Sequence, residues 1–155
     1  MQAKRTGFVA VVVLAALAAG CGGSSRLSKA QYEQLIQADG KAVQKAVASI
    51  SGNPSSLKVL AVQVAAAEKA AKKAADDLDA AKPPVEVDAD NKKIVAALRT
   101  IDVQLKKLEQ AAKDGDATAA QQAALAIRSS PEIKAAQVAA KDMKKKGYKI
   151  GIIGT

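Results

Sequence analysis

The residues that could carry chemistry in this chain are few, and its single cysteine, Cys21, is the most distinctive of them. The chain contains no histidine. This removes the commonest general base, the commonest metal ligand and the Glu-x-x-His motif of di-iron bundles. One cysteine cannot form an internal disulfide, and Cys21 lies where an apolar run stops. The residues before Cys21 therefore indicate the role of its thiol.

The first twenty residues change character in the order that an export signal requires. Lys4 and Arg5 form a positive start, and residues 8–19 are uniformly apolar. A helix of that length reaches only about 18 Å, whereas a bilayer core is about 30 Å thick. The segment is too short to span a membrane, so residues 1–20 are expected to be a removed signal peptide.

Small residues lead directly into the cysteine: Ala18, Ala19 and Gly20 precede Cys21 and resemble a lipobox, the processing motif of bacterial lipoproteins. The resemblance implies that diacylglycerol is joined to the thiol, that cleavage falls between Gly20 and Cys21, and that the new amine can be acylated, with palmitate for example. Ala18 departs from the pattern, because leucine is usual there. The alternative is an ordinary secretory signal, cut after Ala18, that leaves a free thiol.

Three acidic clusters are candidate cation sites. They contain Asp76, Asp77 and Asp79, then Asp88, Asp90 and Asn91, then Asp114 and Asp116. Only the second resembles a calcium loop, but Lys92 and Lys93 stand where an oxygen ligand and a glycine are needed. Helix capping and the helix dipole explain Asp88, Asp90 and Asp116 better, since carboxylates at helix starts meet unpaired amides. No metal and no cofactor other than the lipid is therefore predicted.

Lysines crowd the expected end of the last helix, at Lys141, Lys144, Lys145, Lys146 and Lys149. The simpler interpretation is a solvated helix end, because positive charge there is favoured by the helix dipole. The alternative is a candidate contact surface for anionic headgroups.

Composition favours a small, basic, helical domain. The sequence has 36 alanines, one phenylalanine, two tyrosines and no tryptophan. Lys4 and Arg5 account for two of the nine net positive charges, which leaves +7 for residues 21–155. Nucleic acid is not expected as a partner, because the chain is predicted to be exported and its aromatic residues do not interleave with the basic ones to stack on bases.

Apolar residues at three- and four-residue steps predict the first two helices. Ser28 and Gln31 fit a capping box for a helix over about 29–51, with Gly52 as its stop. Its stripe contains Tyr32, Leu35, Ile36, Val43, Val47 and Ile50. Asn53 and Pro54 suit the start of a second helix, which Pro83 ends. Its heptad seam contains Leu57, Val64, Ala71 and Leu78.

The strongest seam predicts a third helix, which Asp88 or Asp90 would cap and Gly115 would stop. It contains Ile94, Leu98, Ile101, Leu105 and Leu108. Asp116 would cap a fourth helix, which Pro131 should kink or break before Gly147 ends it. Its apolar face contains Ala117, Ala120, Ala124 and Ile127, and then Ile133, Ala136, Ala140 and Met143.

Four amphipathic segments with short turns predict an all-α protein, a four-helix up-down-up-down bundle with a kinked or broken last helix. Residues 21–27 would form the lipidated N-terminus and flexible tether, and residues 28–147 the bundle. Residues 148–155 would form a short extended tail that packs on the bundle through Tyr148 and Ile150. A tail presented to a partner as an added strand is the alternative.

Several motifs resemble those of a group of small alanine-rich lipoproteins from high-GC Gram-positive bacteria. They comprise Leu27, Ser28, Tyr32 and Glu33; Gln37, Ala38, Asp39 and Gly40; Pro83 and Pro84; Asp90 and Asn91; Gly115 and Asp116; and Lys146, Gly147, Tyr148, Ile150 and Gly151. The similarity covers nearly the whole chain after the signal. It implies export and a helical fold, and it transfers no functional residue.

The expected function is that of a non-enzymatic module, anchored on the outer face of the cytoplasmic membrane, that contacts envelope proteins or anionic headgroups. A carrier or sensor for a small apolar ligand between helices is the main alternative. A hydrolase that uses only carboxylates and lysines is a third hypothesis.

Overall fold

The computed structural model describes residues 26–50 and 54–151. Within these ranges the chain forms five α-helices, a short 3₁₀ helix and no β-strand. The α-helices are α1 (Lys29–Ala48), α2 (Leu57–Ala80), α3 (Asp88–Asp114), α4 (Ala117–Ser129) and α5 (Pro131–Lys145), and the 3₁₀ helix spans Val85–Val87. The predicted all-α fold is confirmed.

The helices form an up-down-up-down bundle around α3. Helix α1 packs on α2, α2 packs along α3, and α4 and α5 both pack on α3. Because α4 and α5 contact each other only slightly, they follow one another along α3 and together take the place of the fourth helix. The predicted bundle is therefore confirmed.

The last helix is broken at Ser130. This residue has an extended backbone (φ −60°, ψ 130°), and its hydroxyl accepts a hydrogen bond from the Ile133 N–H at 3.4 Å. Pro131 follows as the first residue of α5, where its missing N–H breaks no helical hydrogen bond. Of the two outcomes expected at Pro131, the structure has the break.

Local chemistry explains the other helix ends that the sequence predicted correctly. The capping box at the start of α1 is complete, with reciprocal hydrogen bonds between Ser28 and Gln31. Gly115 ends α3 with a φ of 77°, a conformation that a side chain disfavours. Asp116 then caps α4 by accepting from the Ala119 N–H at 2.9 Å.

The starts of α2 and α3 differ from those expected. Helix α2 begins later than expected, because the Ser56 hydroxyl caps it by accepting from the Val59 N–H, and Pro54 lies before the helix. Val87 is the capping residue of α3 and forms no side-chain hydrogen bond, because the preceding 3₁₀ helix leads directly into α3. Asp88 and Asp90 lie inside the first turn instead, as acids that the helix dipole favours.

Helix α1 also ends earlier than expected, at Ala48. The predicted stop at Gly52 and the predicted cap at Asn53 lie outside the described residues.

The core consists of two apolar clusters, one at each end of the bundle. The cluster at the end where α1 and α3 begin and α2 and α5 finish contains Tyr32, Ile36, Leu78, Ile94, Met143 and Tyr148, and we call this the tyrosine end. The cluster at the opposite end contains Val64, Ala67, Ala71, Leu105, Leu108 and Ala120. Most predicted seam positions are buried, but Val47 is 45% exposed and Ala117 is also exposed. The predicted α1 stripe is therefore wrong at Val47, and the predicted apolar face of the fourth helix is wrong at Ala117.

Candidate functional site

The predicted lipidation and cleavage residues, Cys21 and Gly20, lie outside the described residues, as do residues 21–25 of the tether predicted over residues 21–27. Arg26 and Leu27, the last two residues of that tether, are bound to the bundle by hydrogen bonds to the Pro83 and Lys82 carbonyls. Lipidation at Cys21 stays a prediction. The described residues contain a cluster of hydrogen-bonded polar side chains at the tyrosine end of the bundle.

Tyr32 and Asn91 form the centre of this end. The fully buried Tyr32 hydroxyl donates to Oδ1 of Asn91 at 2.9 Å, and Nδ2 of Asn91 donates to the Leu78 carbonyl, also at 2.9 Å. Burial raises the pKa of Tyr32 well above its usual value, so the hydroxyl remains a donor. These two hydrogen bonds join α1, α3 and α2.

Tyr148 reaches the same place from the C-terminal tail. Its ring meets the Tyr32 ring edge-on, with centroids 6.2 Å apart, and Lys29 Nζ lies 4.6 Å from the Tyr148 centroid. The Tyr148 hydroxyl donates to Oε1 of Glu86 at 2.6 Å. Burial and this carboxylate raise the pKa of Tyr148 to about 12, while the hydrogen bond from Tyr148 lowers the pKa of Glu86.

The tail residue Lys149 is held to α1 through its backbone. Its N–H donates to Oε1 of Glu33 at 2.9 Å, and its carbonyl accepts from the Gln37 side chain. Ile150, the next residue, is buried in the tyrosine-end cluster. The described part of the tail therefore packs along the first helix.

Lys146 differs from the other predicted surface lysines. Its Nζ donates to Oδ2 of the buried Asp90 at 2.7 Å and to the Glu86 carbonyl at 2.6 Å. A charge-assisted hydrogen bond to a buried carboxylate is among the stronger polar contacts. Lys146 is therefore bound to Asp90 and Glu86 although its side chain is 41% exposed, a contact that its position in a lysine-rich sequence gave no reason to expect.

The remaining predicted surface lysines are exposed. Lys144 and Lys145 lie in the last turn of α5, where the helix dipole favours them, and Lys145 pairs with Asp142 at 3.5 Å. Lys141 lies one turn earlier, and the Lys149 side chain is exposed in the tail. The structure thus gathers all four around the tyrosine end.

Two carboxyl groups in the interhelical seams were missed by the sequence analysis. Burial, followed by the nearby Asp77, raises the pKa of Asp39, and Oδ2 of Asp39 makes no hydrogen bond within the described residues. Burial and a hydrogen bond with Glu109 raise the pKa of Glu68. A signal for Asp39 was present, because it lies three residues after Ile36 on the apolar stripe of α1.

The surface and seams of the described chain were also considered as ligand sites. An open groove between the end of α2 and the start of α3 is lined by Asp79, Pro83, Asn91 and Arg99, and Arg99 is paired there with Asp76 at 2.5 Å. The alanine seam where an apolar ligand was considered is packed, with Ala67 fully buried. Over residues 26–50 and 54–151, no group of three or more His, Cys, Asp or Glu could hold a metal ion.

Comparison of the chain with protein-family models, with curated proteins and with solved structures found no match. In the part of the chain that the structure describes, no helix is both long enough and apolar enough to cross a membrane.

Proposed function

We propose that this chain is a non-enzymatic helical module, held on the outer face of the cytoplasmic membrane by lipid on Cys21, that acts through envelope contacts. The observation that carries the proposal is the lone cysteine that follows Ala18, Ala19 and Gly20 where the apolar run ends. The resemblance to small alanine-rich lipoproteins supports the same assignment. Two or more acyl chains would hold the protein firmly, whereas one binds reversibly.

The contacts of Arg26 and Leu27 support an anchor that is structurally separate from the helical bundle. Arg26 donates to the Pro83 carbonyl at 2.7 Å and pairs with Asp88 at 3.1 Å. The Leu27 N–H donates to the Lys82 carbonyl at 2.7 Å. The chain is thus tied to the bundle within six residues of the cysteine, so a lipid on Cys21 would not disturb the helices.

The kinds of titratable groups in the chain, and the contacts of its tyrosines, support a non-enzymatic role. The chain has no histidine, and the tyrosines with raised pKa donate to partners within the fold. Catalytic acids and bases need access to a substrate proton, which Tyr32 and Tyr148 lack because they are buried.

Incorporation of labelled palmitate in a bacterial host tests the anchor. The wild-type chain should become labelled, and Cys21→Ala should abolish the label because the acylated thiol is gone. Ala18→Leu is the matched control, since it supplies the usual lipobox residue and should leave labelling equal or higher. Equal labelling of Cys21→Ala, or no label in the wild type, would reject the proposal.

A further inference from the structure

We propose that the tyrosine end of the bundle docks on anionic phospholipid headgroups through Lys82, Lys144 and Lys149. This inference rests on the proposed anchoring through Cys21 and adds an orientation to it. The tyrosine end would face the membrane, and the end where α4 begins would point away from it.

The acidic side chains near the tyrosine end are already occupied. The pairs are Glu33 with the Lys149 N–H, Glu86 with Tyr148, Asp88 with Arg26 and Lys92, Asp90 with Lys146, and Asp142 with Lys145. Asp88, Asp90 and Asp142 are thus paired with cations, as Asp79 is with Arg99. Glu33 and Glu86 accept from neutral donors and keep their negative charge, but the exposed lysines of this end outnumber these two carboxylates.

The three proposed lysines differ from these pairs. Lys82 lies in the connection between α2 and α3, Lys144 in the last turn of α5, and Lys149 in the tail. All three are exposed, and within the described residues no carboxylate pairs with their ammonium groups. Three different elements thus present unneutralised positive charge at one end of the molecule.

The length of the tether places this end near the membrane. Five residue steps separate Cys21 from Arg26 and span at most about 18 Å, whereas the 27 residues of α3 extend for about 40 Å. Attraction to an anionic membrane falls off within a screening length of about 10 Å at 0.1 M salt. Lysines at the tyrosine end can therefore meet the surface, and in the proposed orientation those at the opposite end remain beyond it.

Lysine footprinting of the lipidated full chain tests this orientation. The protein, recovered from membranes of the producing cell, would be placed in vesicles of phosphatidylglycerol with phosphatidylcholine, or of phosphatidylcholine alone. An impermeant amine-reactive reagent and mass spectrometry give the reaction rate of each lysine. On anionic vesicles at low salt, Lys82, Lys144 and Lys149 should react about fivefold more slowly than on phosphatidylcholine alone. The attraction of one lysine to an anionic surface corresponds to a factor of about five in its binding equilibrium. High salt should restore their rates.

Lys58 and Lys107 near the opposite end are internal controls, because both are exposed and should react equally on the two vesicles. Lys145, whose side chain is 80% exposed at the tyrosine end, should also be protected on anionic vesicles. A triple variant, Lys82→Gln with Lys144→Gln and Lys149→Gln, should abolish this protection of Lys145. The matched variant, Lys45→Gln with Lys58→Gln and Lys107→Gln, should retain it. Circular dichroism verifies that both variants fold.

Each contrary outcome has a distinct meaning. If the recovered chain carries no lipid, the proposed function and this inference fail together. If it carries lipid but the three lysines react alike on both vesicles, only the inference fails. Protection in intact cells without protection on anionic vesicles would assign the lysines to acidic wall polymers and overturn membrane docking.

Discussion

Asp39 occupies a position on α1 that the neighbouring turns give to apolar side chains. It follows Tyr32 and Ile36 along the same stripe and is only 8% exposed. Burial and the nearby Asp77 both oppose its ionisation, which raises its pKa. The charged form of Asp39 therefore costs stability at neutral pH, and the protonated form does not.

Replacing Asp39 with asparagine should stabilise the protein at pH 7. A raised pKa means that the folded state binds the proton more tightly, so stability is fully present below the unfolded pKa of about 3.9 and is lost as pH rises through the folded pKa. Asp39→Asn removes that loss. Urea unfolding from pH 3 to pH 7 should therefore show a gain at pH 7 that disappears at low pH.

Asp77→Asn provides the control for this prediction. If like-charge repulsion from Asp77 contributes to the effect, the gain from Asp39→Asn should be smaller in the Asp77→Asn background. A gain that is independent of pH in both backgrounds would contradict the explanation by ionisation.

At the scale of elements, glycine has opposite effects on stability at the ends of helices and inside a helix. Gly115 and Gly147 follow α3 and α5 with a φ of 77°, whereas Gly40 lies inside α1 with no atom within 4 Å of the position that a Cβ would take. A left-handed conformation disfavours any side chain, and a glycine within a helix weakens it.

Alanine substitutions at these glycines should therefore change stability in opposite directions. Gly40→Ala should raise the free energy of unfolding by about 0.5–1 kcal/mol, and Gly115→Ala should lower it by about 1–2 kcal/mol. Gly147→Ala should cost at least as much, because its Cβ would also lie 3.2 Å from Lys29 Nζ. Chemical denaturation measures all three, and a loss at Gly40 or a gain at Gly115 would contradict this explanation.

The elements were largely predictable because their signals are local. Apolar spacing indicated every helical seam, and the Ser28 box, Gly115 and Asp116 mark boundaries through contacts within a few residues. The start of α2 and the cap at Asp88 were predicted wrongly because several polar residues near each start could cap the helix. Only the packed chain selects Ser56 and the 3₁₀ turn over Val85–Val87.

At the scale of the whole molecule, the tail completes the tyrosine end. Tyr148 contacts Tyr32 across 116 positions of sequence, and Tyr32 reaches Asn91 across 59. Such pairings depend on how helices stack, so no local pattern predicted that these residues meet. Alanine spacing showed where helices would pack but not which polar groups would be enclosed.

Removing the apolar side chains of the tail should destabilise the bundle. Tyr148→Ala combined with Ile150→Ala should cost about 4 kcal/mol, because both side chains are buried, and should lower Tm by about 10 °C. Tyr148→Phe is the graded control, which keeps the ring and should cost about 1 kcal/mol through loss of the hydrogen bond to Glu86. Calorimetry that shows an unchanged Tm in the double variant would favour a tail presented to a partner.

The contact between the tail and α1 forms late in biosynthesis. Translation proceeds from the first helix to the tail, so Tyr32 emerges long before Tyr148 and Ile150, which help to bury it. Lys149 completes the backbone hydrogen bonds with Glu33 and Gln37 only after all five helices have been made. A nascent chain therefore lacks this closure until Tyr148, Lys149 and Ile150 appear, which would favour an unfolded state during the export that we propose.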